Sequence, residues 1–137
     1  MRCFTSRKVG AEVRPTLLII DERKNLRMLY DHELGEEGYR VVLAENRHEA
    51  LKVVRNECPD LVILDGSILV KEGRTALEEI RSFCNKTIIV ANDVDPNSCK
   101  MILSSFSLDD CLVKSSDLSH LKKKISDLLR STSLSNK

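Results

Sequence analysis

Aromatic residues are scarce in this chain, 4% of its 137 positions, so a core must come from Ile, Val and Leu packed on one another. Long apolar runs are missing as well, and no stretch approaches the length of a membrane-spanning helix. The opening residues Met1-Arg2-Cys3-Phe4-Thr5-Ser6-Arg7-Lys8 have no apolar middle of the kind a secretion signal needs. Charge of one sign is absent too. The 22 basic and 21 acidic residues are mixed along the chain and leave a net charge of +1, which argues against nucleic acid or a membrane surface as the main partner. The cysteines, Cys3, Cys58, Cys84, Cys99 and Cys111, are odd in number and irregularly spaced, with no C-x-x-C pair. Neither a zinc site nor a disulfide framework is expected, and reduced thiols in a cytoplasmic protein follow. There is no internal repeat and no interdomain linker, and the length fits one domain able to bury its own core.

What is present is a series of short aliphatic runs, each ending in a polar residue. Leu17-Leu18-Ile19-Ile20 ends in Asp21 and Glu22, Leu61-Val62-Ile63-Leu64 ends in Asp65 with Gly66 behind it, and Cys111-Leu112-Val113 ends in Lys114. Continuous rather than alternating apolar runs are the mark of parallel strands buried on both faces. Two further strands are expected at Arg40–Leu43 and Thr87–Ala91. Between the strands lie helical patterns. Leu26, Leu29, Tyr30 and Leu34 recur at helical spacing before Gly38; Asn46 with Glu49 resembles a capping box ahead of Ala50, Leu51, Val54 and Cys58; and Pro59 ends that helix. A loop over 66–73 is expected to lead to a cap at Thr75-x-x-Glu78 and a helix with Ala76, Leu77, Ile80 and Phe83 inward. Asp95 before Pro96 opens a fourth helix with Cys99, Ile102, Leu103 and Phe106 on its face, and Ser116 caps a fifth whose Leu118, Leu121, Ile125, Leu128 and Leu129 point inward while Lys122, Lys123 and Lys124 are solvated. His32, His48 and His120 fall on these helices as surface residues. The domain is expected over residues 15–130, between a mobile tail at 1–14 and a frayed one at 131–137.

Strands alternating with helices through short loops require parallel pairing and right-handed crossovers, an α/β doubly wound sheet. Polar residues at the ends of such strands gather at one edge, where open α/β sheets place their sites. The set is then Asp21, Glu22, Asp65 and Lys114. Three carboxylates at one edge persist only when a cation or protons neutralise them. Mg²⁺ suits such hard oxygen donors, and it is commonly held by one or two carboxylates together with phosphate oxygens. One carboxylate is then free to act as nucleophile toward a phosphoryl group, with the lysine pairing with the transferred oxygens. Competing phosphate chemistries fail on the residues. Glu22-Arg23-Lys24 is no glycine-rich or hydroxyl-rich phosphate loop, an Asp-x-Asp nucleophile pair would need an acid at Arg23, and no Gly-x-Ser-x-Gly elbow or Ser/His/Asp set occurs.

The acidic pair after the first strand, the Asp after the third and the Lys after the fifth make the chain resemble the receiver domains of two-component response regulators, the CheY-like (βα)5 fold of the flavodoxin type. Spacing agrees, with 44 residues from Asp21 to Asp65 and 49 from Asp65 to Lys114, and Gly73 matches the glycine that usually precedes the third helix. The resemblance covers residues 15 to 130, leaving no room for an effector domain, and it implies a five-stranded sheet in the order 2-1-3-4-5. It implies Asp65 as phosphoacceptor, Mg²⁺ held by Asp21, Glu22, Asp65 and the backbone carbonyl of Ser67, and Lys114 in contact with the phosphoryl group. Implied partners are a histidine kinase as phosphodonor and a downstream protein on the face of the fourth helix, fifth strand and fifth helix, with no nucleic acid or membrane, the protein being a monomer or weak dimer. Such a domain is no enzyme beyond its own phosphorylation and dephosphorylation.

The switch positions depart from the family pattern. Ala91 or Asn92 stands where receivers usually have Thr or Ser, and Cys111 stands where an aromatic is common. The primary expectation is a stand-alone phosphoacceptor that signals through phosphorylation-dependent protein binding. The alternative is a degenerate receiver that docks a partner regardless of Asp65, and a small phosphate-ester hydrolase ranks last because no base is placed to activate water.

Overall fold

Every position of β1 (Thr16–Ile20) and β3 (Leu61–Asp65) is buried, because these strands are central and are covered from both sides. A computed structural model describes residues 14–84, 86–91, 110–113 and 117–135. Around the two central strands come α1 (Lys24–Glu36), β2 (Arg40–Ala44), α2 (Arg47–Glu57), α3 (Gly66–Arg81), β4 (Thr87–Ala91), β5 (Asp110–Val113) and α4 (Ser119–Ser135). The described strands form one sheet in the order β2-β1-β3-β4-β5, parallel throughout. This is the expected doubly wound order. The helix expected on Cys99 to Phe106 lies outside the described residues.

Alternate residues of each strand face opposite sides of the sheet, and the core divides accordingly. Leu18, Ile20, Val62, Leu64 and Ile89 pack under α2 and α3 with Ala50, Val54, Leu77 and Ile80. Leu17, Ile19, Leu61, Ile63, Ile88 and Val90 pack on the other side with Tyr30 and Leu34 of α1 and with Leu118, Leu121 and Ile125. The aliphatic runs thus serve two cores at once.

Local chemistry sets the ends of the helices. Asn46 caps α2 by accepting the Glu49 N–H at 2.9 Å, while the Glu49 carboxylate reaches past the cap residue to the N–H of Glu45. The capping box is therefore displaced by one residue from its usual partner. Gly38 has φ 97° with open space around its Cα hydrogens, so glycine is required there by backbone conformation rather than by crowding. Cys58, expected on the inner face of the second helix, is instead its C-cap in the left-handed region, φ 47°, and it is disulfide-bonded, which departs from the expectation of reduced thiols throughout. His32, His48 and His120 are exposed.

Two further expectations are corrected. Residues 66–73 are not a loop, because α3 begins at Gly66 with Asp65 as its cap, and Gly73 and Thr75 lie within the helix. Ile68, Ala76 and Ile80, buried at four- and eight-residue intervals, keep one face of that helix on the sheet from its first turn. Lys122 is not simply solvated either. Its ammonium donates to Glu33 at 3.0 Å and lies 3.4 Å from Glu37, tying α4 to α1. The Asp117 carboxylate accepts the Ser119 N–H at 3.0 Å ahead of α4; Ser116, the expected cap, lies outside the described residues.

Candidate functional site

The sheet register delivers the acids. Ile20 pairs with Leu64 across β1 and β3, so the next residues, Asp21 and Asp65, leave neighbouring strands at the same level of the carboxyl edge. Both are almost wholly buried, at 1% and 3% exposure. Two buried carboxylates at one level of the edge need a nearby positive charge or an absorbed proton, and among the described residues Arg23 brings a cation to both. Its Nε lies 3.6 Å from Asp21 Oδ1 and one terminal nitrogen lies 3.9 Å from Asp65 Oδ2. The Arg23 N–H also donates to Asp21 Oδ1 at 2.9 Å, a local turn in which the aspartate folds over its own backbone.

Around this pair the backbone is fixed. Asp21 N–H donates to the Ala44 carbonyl at 3.1 Å, and Arg27 reaches back from α1 to the carbonyls of Asp21 at 2.8 Å and Glu22 at 3.1 Å. Ser67 binds Asp65 twice, its Oγ–H donating to Oδ2 at 2.7 Å and its N–H to Oδ1 at 3.4 Å. A carboxylate accepting an N–H at the start of a helix satisfies one of its orphan donors and lies at the positive end of its dipole.

The other expected residues are placed as follows. Glu22 is exposed, and its carboxylate pairs with Lys71 of α3 rather than with the two buried acids. Ser67 lies in the first turn of α3, where helical geometry directs a backbone carbonyl along the axis toward the helix C-terminus. Ala91 is the last residue of β4 and pairs with Val113, while Cys111 lies in β5 and pairs with Ile89. Lys114 and Asn92 lie outside the described residues. Among the described residues no three of His, Cys, Asp and Glu are grouped to hold a metal ion. Mg²⁺ needs no such trio, because one or two carboxylates with waters and phosphate oxygens suffice. The buried Asp21 and Asp65 supply that donor chemistry.

Arg23, Lys71 and the hydroxyl of Ser67 are the contributors that reading the sequence did not find. A cation directly after two acids, and a serine two residues after an aspartate, are the signals that carried them.

Tyr30 lies beneath the acids. Burial first, and then the negative charges of Asp21 and Asp65, raise its phenol from 10.0 to about 12, with Arg23 acting in the opposite sense. The folded state therefore favours the neutral phenol. Its contribution to stability is intact below pH 10, where the phenol of the unfolded chain is also neutral, and is lost as pH rises to about 12. A loss of roughly 2–3 kcal/mol over that window is expected. Urea midpoints measured across it should fall more steeply for the native protein than for Tyr30→Phe.

Comparison with known proteins gives a consistent picture. The family model for the response regulator receiver domain matches residues 17–126. The probable transcriptional regulator ycf27 of Guillardia theta is 29% identical over 124 residues, covering 90% of this chain and 49% of that protein, so the chain spans about half the length of relatives of that kind. Sporulation initiation phosphotransferase F of Bacillus subtilis is 29% identical over 105 residues, 77% of this chain and 76% of that one. The response regulator TrrA of Thermotoga maritima, solved in complex with Mg²⁺ and BeF, is 35% identical with a TM-score of 0.68 and covers 83% of this chain and 98% of its own.

Proposed function

The chain belongs to the response regulator receiver domain family, and from that premise we propose that it accepts a phosphoryl group on Asp65 from a histidine kinase and signals through protein binding that depends on the modification. Domains of this family are signalling modules of two-component systems rather than ordinary enzymes. The observation that carries the reading is the buried pair Asp21 and Asp65, level with each other at the carboxyl edge and facing one guanidinium.

In the proposed reaction an Asp65 carboxylate oxygen attacks the phosphorus of a phosphohistidine. The new P–O bond forms as the P–N bond breaks, and the imidazole leaves with that electron pair and takes up a proton. Mg²⁺, when bound, supplies positive charge to the phosphoryl oxygens. Asp21 and Asp65 would be its protein donors, with Glu22 as a proposed addition; the Ser67 carbonyl could join them only if the first turn of α3 opened, and Lys114 would pair with the phosphoryl oxygens. The related TrrA structure, which holds Mg²⁺ and BeF, supports carrying this chemistry across. The partner face is proposed to comprise residues 99–106, β5 and α4.

A second reading, a docking module indifferent to Asp65, is favoured by one feature. The acids already face protein cations, Arg23 for the buried pair and Lys71 for Glu22. Amide chemical shifts recorded on adding Mg²⁺ and beryllofluoride separate the two. Changes concentrated at Asp21, Asp65, Ser67 and the end of β4 are expected for the phosphoacceptor, and an unchanged spectrum would leave the docking module.

A further inference from the structure

We propose that Arg23 is the resident counter-cation of the Asp21 and Asp65 pair, and that a divalent cation gains those carboxylates only by displacing its guanidinium. The inference rests on the reading above, that this edge takes a divalent cation, and concerns how access to it is set.

Two almost wholly buried carboxylates at one level of a sheet edge repel, and that repulsion is weakly screened away from water. Arg23 answers it from 3.6 Å and 3.9 Å, so its charge stands before both carboxylates on the approach a cation would take. Two cations cannot share those oxygens without repelling each other, so metal and guanidinium exclude one another. The residue is built to let go. Its backbone is committed, with the N–H on Asp21 Oδ1 at 2.9 Å and the carbonyl accepting from Leu26 and Arg27 at 3.2 and 3.1 Å to start α1. Its side chain is 44% exposed, so the guanidinium can swing into water while the turn beneath it stays formed. Lys71 holds Glu22 in the same manner from α3. Each of these acids thus has a protein cation beside it, and Arg23 faces both buried ones.

Removal of the Arg23 charge therefore has effects of opposite sign on metal binding and on metal-free stability. Mn²⁺ affinity, read from water-proton relaxation with Mg²⁺ as competitor, is expected to tighten about fivefold in Arg23→Gln, the scale of one partly exposed ion pair. Arg23→Lys, which keeps a shorter-armed charge, should fall between the two. The metal-free thermal midpoint of Arg23→Gln should lie below that of the native protein, and saturating Mn²⁺ should close or reverse the gap. Equal or weaker Mn²⁺ affinity in Arg23→Gln overturns the proposal, as does a midpoint gap that persists unchanged under saturating Mn²⁺, since a merely structural arginine would behave that way. Absence of Mn²⁺ binding that is sensitive to Asp21→Asn in the native protein would remove the cation-site reading itself, and this inference with it.

Discussion

Asp65→Asn is expected to abolish Mg²⁺-dependent labelling of the protein by a small phosphodonor such as acetyl phosphate, as read by intact mass. The amide keeps the shape of the side chain and its position at the end of β3, but it offers no anionic oxygen to phosphorus. The substitution should leave the fold in place. The Ser67 N–H and Oγ–H reach different oxygens of Asp65, so the amide oxygen keeps one of the two bonds, and the loss of one buried negative charge relieves the repulsion with Asp21. Circular dichroism and a urea transition close to those of the native protein would therefore accompany the loss of labelling. Labelling that survives at the native level in Asp65→Asn would refute the assignment of the acceptor. Efficient labelling without any divalent cation would refute the proposed role of the metal.

Ile63→Ala is expected to produce the largest loss of stability of any change considered, about 3–4 kcal/mol, the usual cost of emptying a fully enclosed aliphatic site. Ile63 is 1% exposed and lies in the central strand, with Ile19 on one side and Ile88 on the other. Tyr30 and Leu34 of α1 pack in the same core, with Leu121 and Ile125 of α4, so neighbours on a sheet and two helices would all have to move to close the gap. Against a typical total stability of about 5–15 kcal/mol this is a large fraction. The urea midpoint should fall while the slope of the transition stays the same. A midpoint within experimental error of the native value would mean that the two-sided core is looser than its burial implies.

The parts of the architecture that could be read from sequence are those fixed by water exclusion alone. Leu17 to Ile20 and Leu61 to Leu64 are apolar at every position, which only a strand covered on both faces tolerates, and the acids that end them had to reach one edge once the strands lay parallel. The reading failed where a polar side chain chose between two jobs. Gly66 and Gly73 looked like loop residues, yet Asp65 with Ser67 supplies a helix start that the glycines do not prevent, so α3 begins at Gly66, nine residues before the cap expected at Thr75. Arg23 appeared only as the absence of a second nucleophilic aspartate. Its guanidinium faces both buried acids, a relation that depends on where the adjacent strand ends. Lys122 was assigned to a solvated run because helical periodicity says nothing of α1, and Glu33 and Glu37 meet it from that neighbour.

The double grip of Ser67 on Asp65 has a mechanical consequence. The oxygen that accepts the Ser67 hydroxyl and the one that accepts its amide hydrogen belong to the same carboxyl group, so an acyl phosphate formed on either of them would alter the knot that starts α3. Were Asp65 to take the proposed phosphoryl group, the first thing to feel it would be the stretch of helix that carries Lys71.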